Sequence, residues 1–253
     1  MTRIAAHRGG AALWPENSLL AFQSAIALGS DLLELDVHLT RDRTIAVIHD
    51  STLERTTDGA GAVAEATAAD LRRLHLRGPG TALTAEHVPT FDEVLAVASA
   101  STTPVGLLVE VKGPAMGARY EGLEELVLAA LARAGLQARA TVMAFNPEVI
   151  ARVRELAPRA RTTCLVSRGM VERVGARPEQ SIDWAVAAGV TDLGVEHTLA
   201  NERLVAAAHA AGLALGVWTV NEAADIQRML DLGVDIVTSD RPDLARRLQQ
   251  GGA

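Results

Sequence analysis

The chain has 253 residues, enough for one large domain or two small ones, and 49% of them are hydrophobic while only 3% are aromatic, so Ala, Leu and Val must fill the core. A net charge of −7 argues against a general nucleic-acid binder and against a protein held on an anionic membrane surface, and no apolar run reaches bilayer-spanning length. The single cysteine, Cys164, excludes an intrachain disulfide and a thiolate metal cluster. Met1-Thr2-Arg3 runs straight into Ile4-Ala5-Ala6 without a signal-peptide pattern, so a cytoplasmic location is expected.

Thr2 to His7 reads as a first strand ending at the turn Arg8-Gly9-Gly10. Asn17 or Ser18 can cap a helix over Leu19 to Leu28, which Gly29 stops. Asp31 to Leu39 is a second strand, in which Glu34, Asp36 and His38 alternate with Leu33, Leu35, Val37 and Leu39 and so share one face. Ile45 to Ile48 follows too soon for a parallel crossover and predicts an antiparallel hairpin strand. With the turn centred on Arg41 to Thr44, His49 would lie opposite Asp36. Residues 51–89 are irregular apart from a short helix over Thr67 to Leu74, too long for an ordinary connection, and predict a small capping insertion.

Thr90 caps a helix running through Ala100, and strands then alternate with helices. The strands are Val105 to Val111, Thr141 to Phe145, Arg161 to Val166, Asp192 to Glu196, Leu213 to Val220 and Val234 to Ser239. The helices are Tyr120 to Ala134, Pro147 to Leu156, Ser181 to Ala188, Glu202 to Ala211, Glu222 to Leu232 and Asp243 to Gln249, with a loop between Val166 and Ser181. Eight parallel strands with interleaved helices in about 250 residues predict an α/β (β/α)8 TIM barrel, one domain over 1–253. An open doubly wound sheet is the runner-up, and no Gly-rich phosphate fingerprint follows the first strand to favour it.

In such a barrel, reactive groups collect at the C-terminal ends of the strands. There the first strand offers His7 and Arg8, the second Glu34 and Asp36, and the third Glu110 and Lys112, while the hairpin adds His49. Glu196, Trp218 and Asn221 end later strands. Alone, a Glu-X-Asp pair suits an exposed edge and Glu110 with Lys112 suits a salt bridge. Three carboxylates on neighbouring strands point instead to a shared cation. Carboxylates without cysteine suit hard Mg²⁺ or Ca²⁺ over zinc. Lys112 is the only lysine among 24 basic side chains. Arg8 and Lys112 beside a cation suit an anionic, phosphate-bearing substrate, and two histidines suit an acid and a base. The remaining histidines, His38 among them, read as structural.

His7-Arg8-Gly9, Pro15-Glu16-Asn17-Ser18, Glu34-Leu35-Asp36-Val37, His49-Asp50, Glu110-Val111-Lys112 and Trp218-Thr219-Val220-Asn221 together resemble the bacterial glycerophosphodiester phosphodiesterases, in order and as far as Ser239-Asp240-Arg241-Pro242. The resemblance implies a (β/α)8 barrel that hydrolyses glycerophosphodiesters, a small-molecule substrate, to sn-glycerol 3-phosphate and an alcohol. It implies Glu34, Asp36 and Glu110 as metal ligands, His7 and His49 as the acid–base pair, and Arg8 and Lys112 as phosphate ligands, with Trp218, Phe145 and Glu196 as further substrate contacts. Where that family often has Ser-Phe after the fourth strand, this chain has Ala144-Phe145, which bears on the polarity of the pocket. Rival readings are a phospholipase C- or D-like phosphodiesterase acting on lysophospholipids, a catalytically idle phosphate-ester-binding barrel, and a metal-dependent aldolase or enolising enzyme. No nucleic acid or stable membrane association is expected. Monomer and homodimer both stay open, as do attack by water and by a neighbouring substrate hydroxyl.

Overall fold

A computed structural model describes residues 1–115 and 118–251. Among them are nine strands: β1 (Arg3–Ala6), β2 (Leu32–Leu39), β3 (Ile45–Val47), β4 (Gly106–Val111), β5 (Ala140–Ala144), β6 (Arg161–Val166), β7 (Asp192–Glu196), β8 (Ala214–Trp218) and β9 (Ile236–Ser239). All but β3 pair in parallel, and the sheet closes where β1 lies between β9 and β2. The predicted (β/α)8 barrel with one extra antiparallel strand is what the chain forms. Its helices are α1 (Leu19–Ala27), α2 (Ala68–Leu71), α3 (Phe91–Ala100), α4 (Leu123–Arg133), α5 (Pro147–Leu156), α6 (Arg168–Arg173), α7 (Ser181–Ala188), α8 (Glu202–Ala210), α9 (Ala223–Leu232) and α10 (Pro242–Gln249).

Side-chain caps set several helix starts. Ser18 accepts from the Ala21 N–H at 3.0 Å, and Thr90 and Glu93 form a reciprocal capping box at α3. Strand alternation divides the interior in two. Leu33, Leu35, Val37 and Leu39 of β2 join Leu107, Val109 and Val111 of β4 in the layer under the helices. Leu32, Leu108, Met143, Leu165 and Ile236 fill the floor inside the ring. The same alternation turns Glu34, Asp36 and Glu110 inward, and their register makes Asp36 and Glu110 direct neighbours across β2 and β4.

The hairpin exists because β1 is short. It pairs with β2 only at Leu32 and Leu33, so the edge of β2 beyond that point is open, and β3 fills it from Val37 to Leu39. The expected register is off by one residue: Val37 pairs with Val47, and the Ile48 N–H bonds the Asp36 carbonyl, so Ile48 and not His49 lies opposite Asp36. The turn spans one residue fewer than a loop centred on Arg41 to Thr44 requires. His49 follows as the first residue past the ladder, free to lean over the barrel mouth. Ala46 and Ile48 on the far face of β3 anchor the insertion by packing with Leu53, Val63, Leu71, Leu76 and Val88.

The helices differ from expectation in places, and α2 ends at Leu71 rather than Leu74. The predicted loop after Val166 contains α6, whose six residues are too few and too charged to show an apolar period; Ser167 caps it by accepting from Met170 N–H. Helix α4 starts at Leu123 rather than Tyr120, because Gly122 takes a left-handed conformation (φ 79°) that halts the helix there. Tyr120 is thereby free to pack against His38 of β2, edge to face.

The turn after β1 is the most constrained in the fold. Arg8 (φ 51°), Gly9 (φ 81°) and Gly10 (φ 105°) are all left-handed. A Cβ on Gly9 would also sit 2.6 Å from Ala21 Cβ of α1. Gly9→Ala should therefore destabilise the protein by about 2–5 kcal/mol through backbone strain and overpacking. A thermal melt should show a drop of roughly 5–15 °C for a chain of this size.

Candidate active site

Glu34, Asp36 and Glu110 are all buried, and each offers an oxygen within 4.8 Å of the others. Two such charges repel by about 4 kcal/mol at 4 Å with an effective dielectric near 20. The local cations do not cancel this. Lys112 Nζ lies 2.6 Å from Glu110 Oε1 and 3.0 Å from Asp36 Oδ1, and Arg8 Nε lies 3.3 Å from Asp36 Oδ2, but Arg8 is shared with Glu16 at 3.0 Å. Burial and the charge of Asp36 push Glu34 up to about 7, and burial raises Glu110 as well. Burial also works against Asp36, yet Lys112 and Arg8 outweigh it and hold Asp36 far below the usual carboxylate range. Asp36 Oδ1 is buried without an aligned hydrogen bond. Surplus negative charge and an all-oxygen donor set are what a hard divalent cation fits.

Other contacts pin these carboxylates. Arg8 N–H donates to Glu34 Oε2 at 2.9 Å, a bond the left-handed backbone at Arg8 makes reachable. Asn17 Nδ2 donates to Asp36 Oδ2 at 3.0 Å. Asn17 belongs to the Pro-Glu-Asn-Ser stretch expected only to cap α1; Ser18 does the capping and Asn17 reaches the site.

The two histidines are mounted alike. His7 Nδ1 lies 2.6 Å from Asp240 Oδ1, and His49 Nδ1 lies 2.6 Å from Asp50 Oδ1. A carboxylate accepts, so each Nδ1 carries the proton and each Nε2 stands outside that bond. Asp240 is itself held by Asn221, whose Nδ2 donates to Oδ2 at 2.6 Å and whose Oδ1 accepts from the Asp240 N–H. Their electrostatic settings are opposed. Burial lowers His7, but Glu34 and the bond to Asp240 more than compensate and its pKa rises. Burial lowers His49 too, and there Lys112 and Arg8 keep it low despite Asp36 and Asp50.

His38, expected to be structural, lies directly beneath His49. Its Nε2 is 3.0 Å from the His49 carbonyl, which can only accept, so Nε2 carries the proton and Nδ1 accepts from the Tyr120 hydroxyl at 2.9 Å. Burial drives His38 down to about 4, keeping it neutral in this role. None of Asp50, Asp240, Asn17 or Tyr120 was assigned to the site from sequence. Asp240 had a visible signal, since it directly follows the last strand; Asp50 adjoins His49.

His7, Arg8, Glu34, His49, Glu110 and Lys112 all line one cavity of about 200 Å³. Phe145 and Trp218 form its wall, ring edge to ring face at 5.4 Å, and Gly216 lets it reach into the barrel. Ala144 faces the helix layer, so the Ser-to-Ala departure does not touch the cavity. Glu196 takes another course: its carboxylate accepts from the Arg168 N–H at the start of α6 (3.0 Å) and from Thr198 Oγ1. An open groove leads outward past Asp50, Ser51, Thr52 and Glu148.

No helix among the described residues is long and apolar enough to cross a membrane. The sequence pattern of the glycerophosphoryl diester phosphodiesterase family matches residues 7–244. A glycerophosphodiester phosphodiesterase of Caldanaerobacter subterraneus subsp. tengcongensis is 31% identical over 255 residues, 99% of each chain. A crystal structure from Agrobacterium tumefaciens C58 aligns with a TM-score of 0.90 at 33% identity, covering 99% of this chain and 98% of that one. A phosphodiesterase of Oleispira antarctica, solved with its product sn-glycerol-3-phosphate, aligns with a TM-score of 0.79 at 26% identity over 97% and 96% of the two chains. On pattern, sequence and fold alike, the chain belongs to the glycerophosphoryl diester phosphodiesterase family.

Proposed function

We propose that the protein hydrolyses glycerophosphodiesters to sn-glycerol 3-phosphate and an alcohol, with Glu34, Asp36 and Glu110 holding one Mg²⁺ or Ca²⁺ and His7 and His49 moving the protons. The observation that carries this reading is the convergence on one cavity of two carboxylate-braced histidines, two cations and the carboxylates Glu34 and Glu110, with Asp36 completing their buried cluster. The bound cation would neutralise phosphate oxygens as charge builds on them. Arg8 and Lys112 hold the phosphate beside it.

His49, held low, is deprotonated near neutral pH and takes a proton at Nε2 from the attacking oxygen. His7, held high, gives the proton at its Nε2 to the leaving alcohol. Two groups pushed apart by their surroundings can divide acid and base work in this way. Asp50 and Asp240 keep each ring in its tautomer throughout. Phe145 and Trp218 form one wall of the cavity, and the alcohol leaves along the groove past Asp50, which Phe145 also lines. Among the expected substrate contacts, Glu196 has no part in this scheme.

A coupled glycerol 3-phosphate assay tests the reading. Glycerophosphocholine, glycerophosphoethanolamine and glycerophosphoglycerol are supplied in solution, and lysophospholipid in vesicles. The expected result is glycerol 3-phosphate from the soluble diesters, lost with chelator and restored by Mg²⁺ or Ca²⁺. Lysophosphatidic acid or a phosphorylated head group released from the vesicles, read by mass spectrometry, with no glycerol 3-phosphate from the soluble diesters would favour the lipid-directed rival, and no product from any diester would reject the reaction.

A further inference from the structure

Arg55 stands near the start of the insertion with its side chain half exposed, and the scheme above gives it no task. Its guanidinium nevertheless bridges two carboxylates. Nε and Nη2 donate to Asp50 Oδ2 and Oδ1 at 2.6 and 3.0 Å, and Nη1 and Nη2 donate to Glu16 Oε2 and Oε1 at 2.7 and 2.9 Å. Each carboxylate holds a cavity residue with the same group. Asp50 Oδ1 accepts from His49 Nδ1 at 2.6 Å, and Glu16 Oε1 accepts from Arg8 Nη1 at 3.0 Å. One unbroken chain of hydrogen bonds therefore runs from His49 through Asp50, Arg55 and Glu16 to Arg8.

We propose that Arg55 is a positioning residue: it fixes the imidazole of His49 and the guanidinium of Arg8 relative to each other, and through it the insertion completes an apparatus to which it adds no reacting group. The inference rests on the reading of His49 as the base and Arg8 as a phosphate ligand.

The geometry is one only arginine can make. A planar fork presents two parallel N–H groups to each carboxylate, whereas a lysine ammonium cannot span both. Exposed ion pairs add little to stability. Arg55 is 47% exposed, so holding the fold together is a poor account of it. Both ends of its contacts instead terminate on groups that line the cavity.

The link also has an electrostatic side. Arg55 is the leading reason that Asp50 stays far below the carboxylate range, and it takes up part of the charge that Asp50 would otherwise direct at His49. His49 also faces Asp36, Lys112, Arg8 and the His38 ring beneath its carbonyl, and replacing Arg55 alters the identity of none of these. Without Arg55, the unshared charge of Asp50 favours protonated His49, and its titration moves to higher pH.

The test compares Arg55→Ala and Arg55→Lys with the wild-type full chain, loaded with metal. Arg55→Ala should lose roughly 10–100-fold in kcat/KM, the range typical of partners that orient a reacting group from behind. Its melting temperature should change little. The acid limb of its pH profile should move to higher pH, its KM should rise, and free guanidinium ion should restore part of the rate. Arg55→Lys should behave like Arg55→Ala. The His49 midpoint, followed by NMR on histidine-labelled protein, should rise in Arg55→Ala. An unchanged His49 midpoint, a wild-type kcat/KM in Arg55→Ala, or a loss that tracks the melting temperature with the limb unmoved overturns the proposal. Wild-type protein that releases no glycerol 3-phosphate would refute the reaction instead, and the His49 titration would still decide the coupling.

Discussion

Replacing His49 by alanine is expected to cost 10²–10⁴ in kcat/KM, about 3–5 kcal/mol of barrier, and replacing His7 a similar amount with natural substrates. A leaving group that needs no proton separates the two roles. With a p-nitrophenyl phosphodiester, His7→Ala should recover most of its loss, because nitrophenolate departs unaided. His49→Ala should stay slow, since attack still needs its base. Equal losses on both substrates would refute this division of labour. The pH profile of the wild type should be bell-shaped. Activity falls as pH drops through the lowered pKa of His49, where the base is protonated, and as pH rises through the raised pKa of His7, where the acid is spent. Each alanine variant should lose its own limb.

Removing the cation is expected to abolish turnover and to leave a mark on stability that needs no substrate. A ligand at about 100 times its Kd adds about 2.7 kcal/mol, which raises the melting temperature by roughly 5–10 °C. Mg²⁺ or Ca²⁺ should produce this shift in the wild type and not in Glu34→Gln. The metal-free protein should carry a pH signature as well. Glu34 is raised from 4.5 to about 7 in the fold, so the native state binds more protons than the unfolded chain between these values. Its contribution is complete below pH 4.5 and is lost as pH rises through about 7. His7, also raised, acts in the same direction and His49 in the opposite one, so the comparison is with Glu34→Gln, whose melting temperature should fall less over that range. Identical slopes in the two proteins, or a metal shift that survives in Glu34→Gln, would remove Glu34 from the cation site.

What could be read before folding follows a physical division. Strand alternation and the barrel's strand-end rule are local, and they placed Glu34, Asp36 and Glu110 on adjacent inward positions as the parallel register does. The hairpin register was missed by one residue, because a short polar turn does not declare its own length. Helix α6 was missed because its first contacts are a cap and an ion pair rather than an apolar stripe. Asp50 is next to His49, but the partner that holds His7 and the anchor of Arg55 depend on tertiary approach. Asp240 lies 233 residues from His7, and Glu16 lies 39 from Arg55, separations at which spacing carries no information. His38 looked like any histidine on a strand until Tyr120, freed by a left-handed glycine, supplied the other half of its hydrogen bonding.

The closure of the ring through β1 and β9 has a consequence for the order of synthesis. The ribosome makes His7 233 residues before Asp240, yet they share a hydrogen bond of 2.6 Å. Until Ile236 to Ser239 has emerged, the opening strand has a bare flank and the histidine swings without a brace. Translation products that stop short of Asp240 thus lack the carboxylate that braces His7.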